Sequence, residues 1–399
     1  MTEERVWRRN LAALWLAEFT AVFGFSFLSP FLPLYLHQDL GVRGQAPLAL
    51  LSGLAAGATG LGLAVTSPFW GILADRHGRK PMLLRAMVGG GLTVALMGLT
   101  QTPAELIALR FLQGASSGTV AAATALVAGE TPRARVGWAL GVLGSSVAVG
   151  GAAGPLLGGI LASLVGLRLV FLGGGILVLL SVIPVALVVT EVSWRRASEP
   201  PPPVMAAVRG AGPGALGAIG VLVVAQGLLQ LGYSSTQPLV VLRLLRLFPH
   251  GTSSVTGVAF AAAGLATAVA AVSYSRVARR IGYRPTAALA ALLLGGSIVG
   301  AALAPSVPAV VVAVGLFGLL YGMVNPCVSA MIGLEAPARV QARIFGAAYS
   351  AYAVGLAVGP TVSGGIAARY GVAAGMMFAA ATAVALAATL GALAREPAR

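Results

Sequence analysis

The chain has 399 residues, 58% of them hydrophobic and only 9% charged, with 26 Lys+Arg against 11 Asp+Glu for a formal charge of +15. A mean hydropathy of +0.91 excludes a soluble globular domain, which must keep enough polar residues to cover its surface. The positive charge does not read as a nucleic-acid footprint, because the basic residues gather on alternate short loops between long apolar runs.

Crossing about 30 Å of hydrocarbon takes about 20 apolar residues, so this length accommodates roughly a dozen spans with short connections. Helices are expected, since barrel strands would alternate polar with apolar residues and these runs do not. In chain order the first runs fall near residues 11–36, 47–73, 82–99, 103–127, 137–164 and 168–189. The first follows Arg5, Arg8 and Arg9 in the manner of a signal peptide. It is long, carries Glu18 and lacks a small-residue cleavage site, so it reads as a retained span. Residues 191–213 hold Trp194, Arg195, Arg196, Glu199 and Pro200 to Pro203, a composition that suits an extended cytoplasmic linker. Further runs lie near 215–242, 254–275, 286–304, 308–331, 344–368 and 372–394. The expected fold is an all-α integral membrane protein of twelve transmembrane helices. It divides into an N-terminal six-helix bundle over 1–190, the linker over 191–213 and a C-terminal six-helix bundle over 214–399.

With these spans, about twenty of the basic residues fall on one side, which the positive-inside rule makes cytoplasmic. Both termini are then cytoplasmic in a multi-pass protein of the cell (inner) membrane; Arg243 and Arg246 run against the rule. The halves also repeat one another at an offset of 204 or 205 residues. Gly141, Gly150, Gly154, Pro155 and Gly159 recur as Gly346, Gly355, Gly359, Pro360 and Gly364, and Gly78 and Pro81 recur as Gly282 and Pro285. Duplication predicts two pseudo-symmetric bundles with a site between them at mid-membrane.

Three motifs carry the chemistry. The loop Gly71, Ile72, Leu73, Ala74, Asp75, Arg76, His77, Gly78, Arg79, Lys80, Pro81 packs charge between two apolar runs and must face water. It resembles the signature between the second and third spans of the major facilitator superfamily. That resemblance implies the major facilitator fold and a conformational latch in which Gly71, Asp75, Arg76, Gly78, Arg79 and Lys80 hold the cytoplasmic ends of the halves together. In the fifth span Gly141, Gly150, Gly154, Pro155, Gly158 and Gly159 allow close backbone approach. Their order resembles the helix motif of the drug:proton antiporter families. In the fourth span Leu106, Arg110, Gln113 and Gly114 resemble the signature those antiporters use around a buried arginine; packing alone is the plainer reading of the glycines, and a structural role of the arginine.

An intramembrane arginine costs at least about 2.5–3.5 kcal/mol on insertion scales, so Arg110 must face the interior. Arg110, Gln113, Ser117 and Thr124 share one helical face, with Gly114 and Gly118 on an adjacent thin one. Glu18 is the carboxylate placed well inside a span, on a face with Val22, Phe25 and Ser29. Burial disfavours its charged form and a nearby cation favours it, which suits a proton carrier whose surroundings alternate. A cation-recognising carboxylate and a structural partner are the other readings. Glu105, near the outer mouth of the fourth span, is either a second candidate carrier or simply solvated.

Gln226, Gln230, Tyr233, Ser234 and Gln237 form a polar stripe on the seventh span, and Phe317, Tyr321 and Asn325 another on the tenth. Both are expected to face the cavity, with interhelical hydrogen bonding as the plainer reading. Phe23, Phe27, Tyr349 and Tyr352 add candidate aromatic walls. Cys327 is the single cysteine and reads as a small buried residue. His37, His77 and His250 stand in separate loops and supply no metal or acid-base cluster for an embedded enzyme. The resulting expectation is a monomeric, proton-coupled transporter that exports small amphipathic or lipophilic molecules. It needs no cofactor, is driven by the proton gradient, and has as partners its small-molecule substrate, protons and membrane lipids. A proton symporter or lipid translocator on the same fold is the alternative.

Overall fold

The computed structural model describes residues 3–26, 28–191, 214–337 and 340–396, with Met205 and Val208 besides. Most of the expected linker, and Phe27, lie outside the described residues. Helices α1 (Glu3–Ser26) and α2 (Leu28–Gln38) make span 1, α3 (Gln45–His77) span 2 and α4 (Arg79–Met97) span 3. Span 4 is α5 (Pro103–Ala115) with α6 (Thr119–Glu130), span 5 is α7 (Val136–Val165), and span 6 is α8 (Leu167–Leu180) with α9 (Val182–Val188). Spans 7 to 12 are α10 (Ala215–Leu247), α11 (Thr252–Ile281), α12 (Tyr283–Leu303), α13 (Val307–Glu335), α14 (Gln341–Tyr370) and α15 (Val372–Leu393). No strand forms among the described residues. Eleven spans are apolar and long enough to cross a bilayer; span 3, with Arg79, Lys80 and Arg85, falls short and packs between spans 4 and 6.

The packing repeats as the sequence does. Spans 1 and 5, 2 and 4, and 3 and 6 pair in the first half; spans 7 and 11, 8 and 10, and 9 and 12 pair in the second. The turn glycines match as well: Gly78 and Gly282 have φ of 92° and 98°, and Gly166 and Gly371 have φ of 83° and 92°. Such positive φ before a helix start is open to glycine and strained for other residues. The four unpaired amides at each of these starts need acceptors. The N–H groups of Arg79 (2.8 and 3.0 Å) and Lys80 (2.8 Å) donate to the Glu191 carboxylate. In the second half those of Tyr283 and Arg284 donate to Glu396 at 2.7 Å. Glu191 was expected in the linker, but it works as the last functional residue of span 6, tying it to span 3.

The halves meet along two glycine seams. A Cβ on Gly159 of span 5 would lie 2.8 Å from the Ser253 carbonyl oxygen and 2.9 Å from Gly257 Cα of span 8. A Cβ on Gly364 of span 11 would lie 2.7 Å from the Ala49 carbonyl oxygen and 2.9 Å from Gly53 Cα of span 2. Both seams occupy the end of the molecule far from the 71–81 loop. Towards the loop end, Gly137, Gly141 and Gly144 of span 5 and Gly346 of span 11 face open space. The bundle is therefore closed at one end and open at the other.

Valine at Gly159 is expected to hold the closed end apart. In a Cys327→Ala background, a cysteine placed beside that seam should react faster with a water-soluble maleimide in Gly159→Val than in its parent. Glu191→Ala and Glu396→Ala are each expected to destabilise by about 0.5–2 kcal/mol, as lost helix caps do, and additively, measured by unfolding in mixed micelles.

Candidate substrate and proton site

Between the halves lies a cavity of about 620 Å³ reached from the open end. Arg110 is the charged side chain in its lining and is 4% exposed. Its Nε donates to the Ala55 carbonyl (3.3 Å), Nη1 to Gln113 Oε1 (2.6 Å) and Nη2 to Ser29 Oγ (3.4 Å). These acceptors are all neutral, so they orient the guanidinium and leave its charge uncompensated by a bonded acid. Phe25, Ser117, Gln230 and Tyr233, expected at the site, also line the cavity.

Glu18 is 1% exposed and stands one side chain behind this wall. It stands beside the side chain of Thr119, which does line the cavity, while its Oε2 has no hydrogen-bond partner. No hydrogen bond or ion pair joins it to Arg110 among the described residues. Burial without pairing is the arrangement a proton site needs, because the charge has no permanent counterion to fix it. Glu105 is in a different setting: its carboxylate accepts the Gln101 N–H (2.8 Å) and its N–H donates to Thr102 Oγ1 (3.3 Å), an exposed capping box.

Span 4 is broken where the sequence predicted one continuous face. Helix α5 ends at Ala115 and α6 begins at Thr119, with Gly118 between them at φ 125° and ψ 14°. Thr124 consequently leaves the face of Arg110 and is exposed, and Gly118 serves as a hinge in the chain rather than as a packing surface. Three side chains satisfy the freed carbonyls: Thr66 Oγ1 (3.0 Å) and Trp70 Nε1 (2.7 Å) donate to Ala115 O, and Arg85 Nη2 (3.1 Å) donates to Ser117 O. The Arg85 guanidinium lies 3.7 Å from the centroid of the Trp70 ring, a cation–π contact. Arg85 was missed in the sequence; an arginine well inside a span was itself the signal, by the argument applied to Arg110.

The second stripe is corrected. Tyr233 alone of its aromatic stack reaches the cavity: Phe317 stacks on it at 5.3 Å and Tyr321 at 4.0 Å. Tyr321 donates to Gln230 Oε1 (3.4 Å), and Gln226 donates to Asn325 Oδ1 (3.1 Å), so Gln226, Phe317, Tyr321 and Asn325 brace the wall from behind. Tyr349 and Tyr352, parallel at 5.4 Å, are part of the wall itself. In the fifth-span motif Gly150 and Gly154 press on span 1 at Phe19 and Phe23, Gly159 presses on span 8, Gly158 is buried and Pro155 lines the cavity. A Cβ on Gly141 would touch nothing. In the loop, Arg79 Nη1 donates to Ala125 O (2.6 Å) and Lys80 Nζ to Ala186 O (2.8 Å), both within the first half, while Gly71 meets open space and Arg76 is exposed. The Asp75 side chain lies outside the described residues.

The sequence profile of the Major Facilitator Superfamily matches residues 14–219 and 222–399. The chain belongs to this superfamily. It is a multi-pass membrane protein. It is 47% identical over 165 residues to the multidrug resistance protein MdtG of Yersinia enterocolitica serotype O:8 / biotype 1B, and 48% identical over 165 residues to MdtG of Escherichia coli O1:K1 / APEC. Those alignments take in 41% of this chain and only 40% of each relative. Among solved structures it shares the fold of a point mutant of the nucleoside transporter NupG, with TM-score 0.76 and 13% identity over 96% of this chain and 100% of that one. The human organic anion transporter MFSD10 (TETRAN) gives TM-score 0.72 and 18% identity over 96% of this chain and 99% of that one.

Alanine at Gly118 is expected to cost about 1–3 kcal/mol of backbone strain and to lower transport by displacing Thr119 from Glu18. Gly141→Ala, facing open space, should leave stability and transport at the parental level. Unfolding midpoints and initial uptake rates in proteoliposomes read both.

Proposed function

We propose that this protein is a proton-coupled antiporter that exports small amphipathic or lipophilic compounds, drugs among them, by alternating access. The observation that carries the reading is a sealed, unpaired carboxyl group behind the wall of a cavity open at one end. The similarity to the multidrug resistance proteins supports export as the direction, although the aligned segment is about two fifths of their length. Orientation follows from the basic loops: with the 71–81 loop and both termini cytoplasmic in the cell membrane, the open end faces inward, as an exporter awaiting substrate requires.

Substrate enters against Arg110, Gln113 and Gln230 with the Tyr233 and Tyr349 rings as an apolar wall. Glu18 gives up its proton when the filled cavity changes the groups and water around Thr119, and takes one when the cavity opens outward. Rocking about the two glycine seams exchanges the closed and open ends. One proton falling through 100 mV supplies about 2.3 kcal/mol, a substrate gradient of about fifty-fold. The proton gradient is the energy source in this cycle, with no cofactor and with a monomer as the working unit. The 71–81 loop, Asp75 included, would latch the cytoplasmic ends when they close.

In proteoliposomes under an imposed pH gradient, Glu18→Gln is expected to abolish gradient-driven transport while keeping substrate exchange without a gradient. Arg110→Ala is expected to lose substrate binding, and Glu105→Gln to behave as the parent. Gradient-driven transport by Glu18→Gln at the parental rate would rule this carrier out. Proton uptake on adding substrate to the purified protein, in place of release, would mark the symporter or lipid translocator reading instead.

A further inference from the structure

At the end carrying the 71–81 loop, spans 1 and 5 flank a lateral groove of about 590 Å³ lined by Trp7, Arg8, Leu11, Trp15, Arg135 and Trp138. It is separate from the transport cavity. On span 5 Trp138, Val142 and Val149 follow one helical face, whereas Gly144, Ala148, Gly151 and Pro155, which line the cavity, follow another. Trp138 is 61% exposed and Val149 49%. Large apolar side chains exposed on the outside of a membrane-spanning bundle face lipid, so the groove opens to the bilayer.

Its walls are built and chemically divided. Trp7 and Trp138 meet edge to face at 6.4 Å, Trp15 is pinned by its Nε1 donating to Ser145 Oγ at 3.0 Å, and the Arg8 guanidinium lies 5.5 Å from the Trp7 centroid. Arg8 and Arg135 are the ionisable side chains of the lining. From Arg8 to Trp15, and from Arg135 to Val142, the groove descends about 10 Å along each helix. The basic end thus sits at headgroup level together with Trp7 and Trp138, the interfacial depth at which tryptophan settles, and Trp15 lies about 10 Å deeper, toward the acyl region.

We propose that this groove is a binding site for an anionic phospholipid of the leaflet on the loop side. The phosphate lies between Arg8 and Arg135, and an acyl chain runs over Trp138, which Trp7 backs, and on toward Trp15. A zwitterionic lipid carries its own ammonium and is drawn in less, because a basic side chain near the surface contributes about 1 kcal/mol of attraction to anionic lipid.

The test uses the full chain with Trp70 and Trp194 replaced by Phe, leaving the three groove tryptophans as emitters. It is reconstituted in phosphatidylcholine vesicles containing graded amounts of either dibrominated phosphatidylglycerol or dibrominated phosphatidylcholine. At equal bromine content the phosphatidylglycerol is expected to quench at a lower mole fraction, with about a five-fold preference for each arginine. Arg8→Gln and Arg135→Gln each remove that factor, and the double variant quenches equally with both lipids. Arg8→Lys/Arg135→Lys keeps the preference, which separates lost charge from a lost fold. Equal quenching in the parent, a preference that survives both Gln substitutions, or its loss in the Lys variant overturns the proposal.

Discussion

Hydrocarbon supplies no hydrogen bonds, and that single deprivation decides where every polar atom of this protein can stand. A helix interrupted in mid-membrane releases carbonyls that water would satisfy elsewhere. Here Thr66, Trp70 and Arg85 from two neighbouring spans satisfy those at Ala115 and Ser117. The break can exist because spans 2 and 3 bring donors to it, and the site can exist because of the break. Without it α6 would run on from α5, and Thr119 could not head a second helix beside Glu18.

The same economy of polar groups governs how the halves touch. At Gly159 and Gly364 the seams bring glycine against backbone carbonyl oxygen and Cα of the facing span, so the contact there is dispersion, and no ion pair crosses it among the described residues. A closed end made this way separates without exposing an unpaired charge to lipid. The charged contacts lie elsewhere, in the Glu191 and Glu396 caps at the starts of spans 3 and 9. Rigid bodies and soft seams together are what a rocking motion requires.

Much of this was legible in the residues. Eleven of the spans followed from apolar length, the duplication from Gly154, Pro155 and Gly159 recurring 205 residues on, and the interior position of Arg110 from the cost of burying it. Other features were hidden for definable reasons. The break in span 4 needs Ser116, Ser117 and Gly118 to be read as a helix interruption, whereas helical periodicity carried the face through them to Thr124. Glu191 looked like linker because its role depends on amides more than a hundred residues away. The division of spans 7 and 10 into wall and support turns on packing depth: Tyr233 and Phe317 carry the same kind of periodicity, and one residue's ring covers the other.

Duplication gave this molecule two similar bundles, and they have since drifted into different trades. The first bundle holds the guanidinium and the lone carboxyl; the second contributes stacked phenol rings and amides with no ionisable group at neutral pH among them. Ring surface and buried charge are thus carried on separate halves of the chain. Under the proposed cycle, drift in the aromatic half would reshape what the cavity accepts while leaving the carboxyl of the other half in place.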